Sequence, residues 1–337
     1  MQLPSSRAAV TVKFRRMLRF GIWMTAALLS ATPALAQTVV DVKKIWDEAP
    51  HNAFTDLVRH NNRWFCTFRE GAAHVSGDGK IRVLRSKNGT KWESFTLIEQ
   101  PGDDLRDPKL SVTPTGQLQV MAAAARSSGH QTLRWTLPEK PGPVAKGEPI
   151  GDLNYWLWRS TWRGREAFGI GYRTQAAERG VRLYRFTGAK FETLVADLKV
   201  PGYPNESAIR FGKDGSALAL LRRDPVNGQM GNAMLGSAKA PYRDWTWKEL
   251  NVRAGGPNFI ALPDGRLVAA VRLYDGTTRT SLCWLNAEQG TLTEFAKLPS
   301  NGDSSYAGMV WHKGLIWVSY YSSHEGKTSI YLAKVKP

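Results

Sequence analysis

Only two cysteines, Cys66 and Cys283, occur in 337 residues, so no disulfide framework and no cysteine-rich metal cluster organises this chain. Both lie in apolar, strand-like runs far apart in sequence, which makes them expected free thiols buried in the core. No His, Cys or acidic spacing matches a metal motif, and the expectation is no metal and no other cofactor. Helical periodicity and low-complexity linkers are also missing. Beyond residue 36 no apolar stretch reaches the ~20 residues that cross a bilayer. Acidic residues are scarce, 29 against 46 basic, for a net charge of +17. The basic residues are scattered rather than clustered, which argues against nucleic acid as the partner and leaves a weak pull on anionic substrates. At 42% hydrophobic and 22% charged residues, disorder is excluded.

The first segment is built for targeting. Arg7, Lys13, Arg15, Arg16 and Arg19 precede an apolar run from Phe20 to Leu29, and Ala34-Leu35-Ala36 follows as a small-x-small sequence. That order is the architecture of a secretory signal peptide. The expectation is a signal peptide over 1–36 and one domain over 37–337, secreted or periplasmic, monomeric, and without a membrane span once the signal is cleaved.

What is abundant is a repeat. An apolar strand, a tight turn and a second apolar strand recur around Gly116, Gly164, Gly215, Gly265 and Gly314, close to fifty residues apart. One step earlier lies Asn61-Asn62. Hairpin turns need positive φ, which glycine and asparagine tolerate best. Second strands such as Leu267-Val268-Ala269-Ala270-Val271 are continuously apolar, so they are read as buried on both faces. Six units of four strands each predict an all-β fold, a six-bladed β-propeller of four-stranded blades, with Val39 to Ile45 supplying the strand that closes the last blade.

In that fold, residues about nine before and seven after each turn share one mouth. The first set gathers Ala53, Asp107, Tyr155, Glu206, Gly256 and Ser305, with Asn52, Arg106, Asn205 and Tyr306 beside them. The second gathers Arg69, Ala123, Gly171, Arg222, Arg272 and Tyr321. Apolar strands that end in Arg69, Arg222 and Arg272, with Asp107, Glu206 and Tyr306 in the same register, describe a ligand site at one mouth. Arg69-Glu70 also reads as an ion pair locking the first unit to the second, and Asp107 before Pro108 as a turn cap.

These residues resemble the sialidase superfamily. Asn205-Glu206-Ser207, then Lys213-Asp214-Gly215 and Arg222, is similar to the segment that carries the family's catalytic Glu and a substrate-clamping arginine. Ser304-Ser305-Tyr306-Ala307, followed by Gly314-Leu315-Ile316, is similar to the segment of the nucleophilic Tyr. Arg279 or Arg272 resembles a further clamp arginine. Ser86-Lys87-Asn88-Gly89-Thr90-Lys91-Trp92 resembles an Asp-box, with Asn88 for the Asp. The resemblance spans Val39 to Pro337. It departs in two places: His51-Asn52-Ala53-Phe54 stands where the family has an Arg, and the loop Gly71 to Gly79, which holds the family's acid/base Asp, offers His74 and Asp78.

The resemblance implies an exported exo-glycosidase that hydrolyses a terminal acidic sugar of a glycan or glycoconjugate. Tyr306 would be the nucleophile and Glu206 its base, since a phenol is weak without one. The acid stays open between His74, Asp78 and Asp107. Arg222, with Arg272 or Arg279, would bind the substrate carboxylate in bidentate fashion, and Arg69, Arg106 and Asn52 complete the candidate substrate-binding set. Two other readings compete. One is a non-catalytic glycan-binding propeller. The other is a metal-dependent lactonase-type propeller using Glu206, Asn52 and Asp107, whose arginines would repel a cation.

Overall fold

The computed structural model describes residues 38–175, 179–188 and 190–337; the expected signal segment lies outside the described residues. Strand β1 (Val39–Trp46) is followed by β2 (His51–His60), β3 (Arg63–Gly71), β4 (Lys80–Ser86) and β5 (Glu93–Ile98). Next come β6 (Asp104–Val112), β7 (Leu118–Arg126), β8 (Gly129–Thr136) and β9 (Glu148–Ile150), then β10 (Tyr155–Leu157), β11 (Thr161–Arg163), β12 (Glu166–Arg173), β13 (Val181–Phe186) and β14 (Phe191–Val195). The chain continues through β15 (Tyr203–Phe211), β16 (Ala217–Asp224), β17 (Met234–Ala238) and β18 (Thr246–Glu249), and through β19 (Ala254–Ala261), β20 (Leu267–Leu273), β21 (Arg279–Asn286) and β22 (Thr291–Lys297). It ends with β23 (Ser304–His312), β24 (Leu315–Ser322) and β25 (Ser329–Val335).

The fold is an all-β propeller, with no helix among the described residues, and hence none long and apolar enough to cross a membrane. Four sheets are four-stranded: β2 to β5, β15 to β18, β19 to β22, and β23-β24-β25 completed by β1. Strands β6 to β14 form one nine-stranded sheet instead of two separate ones. A single parallel pair, Tyr155 with Gln131, makes that fusion. The innermost strands touch in a closed ring, β2 to β6, β6 to β11, β11 to β15, β15 to β19, β19 to β23 and β23 back to β2.

The turns behave as their composition requires. Gly116, Gly164, Gly215, Gly265 and Gly314 all have φ between 58° and 89°, and Asn61 and Asn62 have 46° and 57°. The second strands are buried on both faces: Val268, Ala269, Ala270 and Val271 are wholly inaccessible. Cys66 and Cys283 are both buried free thiols, and burial pushes both thiols up from their ordinary range.

Five of the innermost strands carry the same irregularity. Their pairing with the second strand skips two residues between Ala53 and Asp56, Arg106 and Lys109, Pro204 and Ser207, Gly255 and Asn258, and Ser305 and Gly308. Such bulges re-aim a side chain. The skipped residues include Phe54, Asp107, Gly256 and Tyr306, each at φ between 51° and 63°, and also Glu206. The repeated bulge therefore turns one residue per strand toward the same end of the channel.

Candidate functional site

At that end Glu206 and Tyr306 meet. Tyr306 Oη donates to Glu206 Oε1 at 2.5 Å. Arg222 Nη1 donates to the same oxygen at 2.7 Å and to Tyr306 Oη at 2.9 Å. The other carboxylate oxygen, Glu206 Oε2, accepts the Gly256 amide at 2.9 Å. Both side chains are buried, at 6% exposure for Glu206 and 7% for Tyr306. Burial, then the nearby Glu206 charge, pushes the Tyr306 phenol well above its ordinary value, and Arg222 and Arg272 oppose that rise. The tyrosine is thus a proton-bearing nucleophile candidate with an acceptor already in hydrogen-bond contact.

Backbone placement of Tyr306 is over-determined. Its carbonyl accepts from Thr55 Oγ1 at 2.9 Å, and the neighbouring Ser305 hydroxyl bonds Thr280 Oγ1 at 2.9 Å. Ser305 and Tyr306 have φ of 90° and 52°, the kind of strained backbone that persists only where surrounding bonds hold it.

The arginines divide into two groups. Arg222 is anchored by Asp224 Oδ1 through Nε at 3.0 Å and Nη2 at 2.7 Å. Arg272 donates from Nε to Ser304 O at 2.8 Å and from Nη2 to Tyr321 Oη at 2.9 Å; its guanidinium carbon lies 5.2 Å from the Tyr306 ring centre. Arg106 stands over Phe54 and Trp156, 5.8 and 5.9 Å from their ring centres. It donates to His74 O at 3.2 Å, and its buried Nε makes no hydrogen bond but lies 3.9 Å from Asp104 Oδ2.

Arg69, Arg279 and Asn52 are not brought to this cluster. Arg69 is wholly buried and binds Asp104 Oδ1 through Nε and Nη2 at 3.0 and 2.7 Å, with Ala73 O and Ser76 Oγ as further acceptors. It does lock β3 to β6, but through Asp104; Glu70 instead pairs with Arg82 and accepts the Trp46 indole N–H. Arg279 is held by Glu294 at 2.9 and 2.6 Å and by Asp275. Asn52 bonds Ala49 O at 2.8 Å and Thr328 O at 3.0 Å. These corrections share one cause: an arginine or asparagine in the right register can still be consumed by a nearby acidic or carbonyl partner.

Among the acid candidates, Asp78 caps its own loop through Ala72 N and Ser76 Oγ. His74 bonds Asp303 Oδ2 through Nδ1 at 2.6 Å, and its ring lies edge-on to Phe54 at 4.9 Å. Asp107 is 6% exposed and its Oδ1 is buried without a hydrogen bond. Burial raises its carboxyl; Lys109 and Arg106 work against that rise, and Glu206 adds to it. Burial of this kind favours the protonated form of a carboxyl, the form a general acid needs.

Sequence reasoning missed much of the surroundings. Trp158 lies 5.8 Å from the Tyr306 ring, and Trp156 stacks on Tyr172 at 5.8 Å, so this side of the mouth is an aromatic wall. The run Tyr155-Trp156-Leu157-Trp158 at the third unit's mouth position was the available signal. Asp303, just ahead of the tyrosine segment, accepts from His51, His74 and Tyr321 at 3.0, 2.6 and 2.7 Å. Burial opposes its charge, but those bonds hold its carboxyl well below the usual range. No local pattern announces that convergence. His51, His74 and Asp303 are also the one set of potential metal ligands close together among the described residues.

No protein-family model matches the sequence, and no curated protein sequence matches it either. Solved structures do resemble it. A protein of unknown function from Dyadobacter fermentans is 17% identical, with a TM-score of 0.74, covering 88% of this chain and 98% of its own. An α-L-arabinofuranosidase of Fusarium graminearum, in complex with arabinobiose, is 10% identical with a TM-score of 0.68, covering 89% and 98%. A Trypanosoma rangeli sialidase in complex with sialic acid is 9% identical with a TM-score of 0.63, covering 85% of this chain and 54% of its own. At such identities the likeness establishes the shared propeller fold.

Proposed function

We propose that the protein is an exported retaining exo-glycosidase, built as a six-bladed propeller in which the nine-stranded sheet counts as two blades. The carrying observation is the Tyr306–Glu206–Arg222 triangle, in which each pair lies within hydrogen-bond distance. Tyr306 Oη attacks the anomeric carbon as Glu206 takes the phenolic proton, and the glycosidic oxygen leaves with a proton from Asp107. Water then attacks the glycosyl-tyrosine, giving its proton to the Asp107 carboxylate, and the tyrosine recovers its own from Glu206. Most glycosidases use a carboxylate nucleophile and sialidases use a tyrosine; the difference suits an anionic sugar, which a carboxylate would repel. Arg106 and Arg272 favour that acidic substrate, and the aromatic wall of Trp156, Trp158 and Tyr172 suits a sugar face. Solved neighbours named as an arabinofuranosidase and a sialidase support a glycan substrate and leave the sugar to experiment.

The test is turnover of aryl glycosides, sialosides and arabinofuranosides included. Tyr306→Phe and Glu206→Gln are each expected to lose about 10²–10⁴-fold in kcat while thermal unfolding stays within a few degrees. Full activity in both variants would place the chemistry elsewhere.

One observation favours a second reading, a glycan-binding module. Arg222 already occupies Glu206 Oε1, which weakens that oxygen as a base. No turnover by wild type on any glycoside, with glycan affinity surviving Tyr306→Phe, is its signature. Export is part of the same proposal: cleavage after Ala36 would release a soluble monomer, and N-terminal sequencing of the exported protein should begin at Gln37.

A further inference from the structure

The far end of the channel, away from the bulges, is a second polar site. The later halves of the innermost strands enclose a cavity of about 370 Å³, whose lining includes Asp56, Arg159, Thr161, Arg210 and Asn258. Its charges do not balance locally. Asp56 Oδ2 accepts the Leu110 amide at 2.8 Å and Arg159 Nη1 at 2.8 Å, so this carboxylate is committed to Arg159. Arg210 has only neutral acceptors: Asn258 Oδ1 at 2.7 Å, Ile209 O at 2.7 Å and Thr161 Oγ1 at 3.4 Å. Among the described residues no carboxylate pairs with it. Arg159 is 8% exposed, and its Nε is buried with no partner. Two guanidinium groups thus share one carboxylate in a partly enclosed, low-dielectric space. Arg210 is half-buried, and a cation partly withdrawn from water without an opposite charge beside it is costly; desolvation followed by repulsion from Arg159 drags its guanidinium down to about 9, with Asp56 opposing.

We propose that this end of the channel binds a small oxyanion between Arg159 and Arg210. The chemistry is that of a planar guanidinium presenting two parallel N–H donors to two oxygens, which suits phosphate, sulfate or a small carboxylate alike. Asn258 gives the site its shape: its Oδ1 holds Arg210, and its Nδ2 donates to Ala307 O at 2.9 Å. The anion would tie the third and fourth repeat units to the first on the channel axis. The proposal stands apart from the glycosidase reading, because none of its residues contacts Glu206 or Tyr306 through a hydrogen bond.

The experiment is calorimetric titration with sodium phosphate, sodium sulfate and sodium acetate at ionic strength fixed with sodium chloride, with unfolding midpoints recorded in parallel. Wild type is expected to bind at least one oxyanion saturably, with a midpoint that rises as mass action requires. Arg210→Gln should weaken binding at least tenfold. Asn258→Asp keeps both arginines but sets an internal carboxylate beside Arg210, and should abolish binding. General salting effects of sulfate act on all three proteins alike and do not saturate. Absence of saturable binding in wild type, or equal binding in a folded Arg210→Gln or Asn258→Asp protein, overturns the proposal. The three salts separate a phosphate-like from a carboxylate ligand.

Discussion

Asp107 shows how much a single residue can be asked to do. Its backbone sits at a φ of 51°, its carboxyl is buried, and one oxygen has no hydrogen bond. Each of these costs stability. The carboxyl is raised in the fold, so the folded state keeps a proton that the unfolded chain releases near pH ~3.9. The contribution to stability is therefore fully present below that pH and is lost as pH rises through the folded value. Asp107→Asn removes the ionisation at nearly constant shape. It should unfold at higher urea concentration than wild type at pH ~7 and at about the same concentration below pH ~4. If Asp107 is the acid, the same variant loses most of its turnover, and the alkaline limb of the pH–rate profile goes with it. His74→Ala, which removes another candidate, should leave that limb in place. A more stable protein with less activity is the expected trade at a strained functional residue; a less stable Asp107→Asn at neutral pH would show that the carboxylate is ionised and held by Lys109 and Arg106.

At the scale of the strand, the repeated bulge explains both what could be read and what could not. The turns were legible because Gly116, Gly215 and Gly265 must adopt positive φ, and only a few residue types do so cheaply. From the turns, counting outward placed Ala53, Asp107, Glu206, Gly256 and Ser305 at one mouth with Arg69, Ala123, Arg222, Arg272 and Tyr321; Ala53 does pair with Arg69 and Ser305 with Tyr321, whereas Asp107, Glu206 and Gly256 fall in the bulges and have no register partner. The bulge itself was not legible, because Phe54, Asp107, Glu206, Gly256 and Tyr306 share no residue type; what they share is a place in an irregular backbone. Nor could register tell a free arginine from a committed one, as Arg69 and Arg279 show. Gly256 tests the bulge as an element. A Cβ there would lie 2.9 Å from Tyr306 Cδ2 and 3.0 Å from Cγ, at a backbone φ of 55°, and the Gly256 amide is a donor to Glu206. Gly256→Ala should cost about 1–3 kcal/mol of stability and displace the tyrosine ring. Urea unfolding measures the first effect. A drop of at least tenfold in kcat, with KM changed less, would report the second, whereas unchanged kcat would mean that the ring position is not what the glycine protects.

For the whole molecule, a ring of sheets needs a closure that does not depend on sequence order alone. The N-terminal strand β1 pairs antiparallel with β25, the last strand, from Val39 with Val335 to Trp46 with Ile330. This was readable because Val39 to Ile45 is a strand-like run left over once the repeat units are assigned. The fusion of β6 to β14 was not readable, since it rests on one backbone pair. The closure has its own side-chain fastenings. Trp46 packs 6.2 Å from Phe68 and gives its indole N–H to Glu70, which joins the last sheet to the first. Val39 and Val42 pack on the core between the β20 and β24 strands, and Ile45 with Trp46 on the core beneath β2 and β3. Burying an aliphatic side chain fully stabilises by about 1.5–3 kcal/mol. Each of these partly buried ones contributes less than that, and together they outweigh any single contact of the strand. Deleting residues 37–46 removes them and leaves β25 as an unpaired edge, which invites association with another chain. The shortened protein should unfold at least ~4 °C lower and elute partly as dimer or aggregate. Trp46→Ala, which keeps the strand but cuts its tie to the first sheet, should lower the midpoint by less and elute as wild type does. An unchanged midpoint in the deletion would mean that the ring is held by its inner strands, through the contact between β2 and β23, and that β1 only covers the edge.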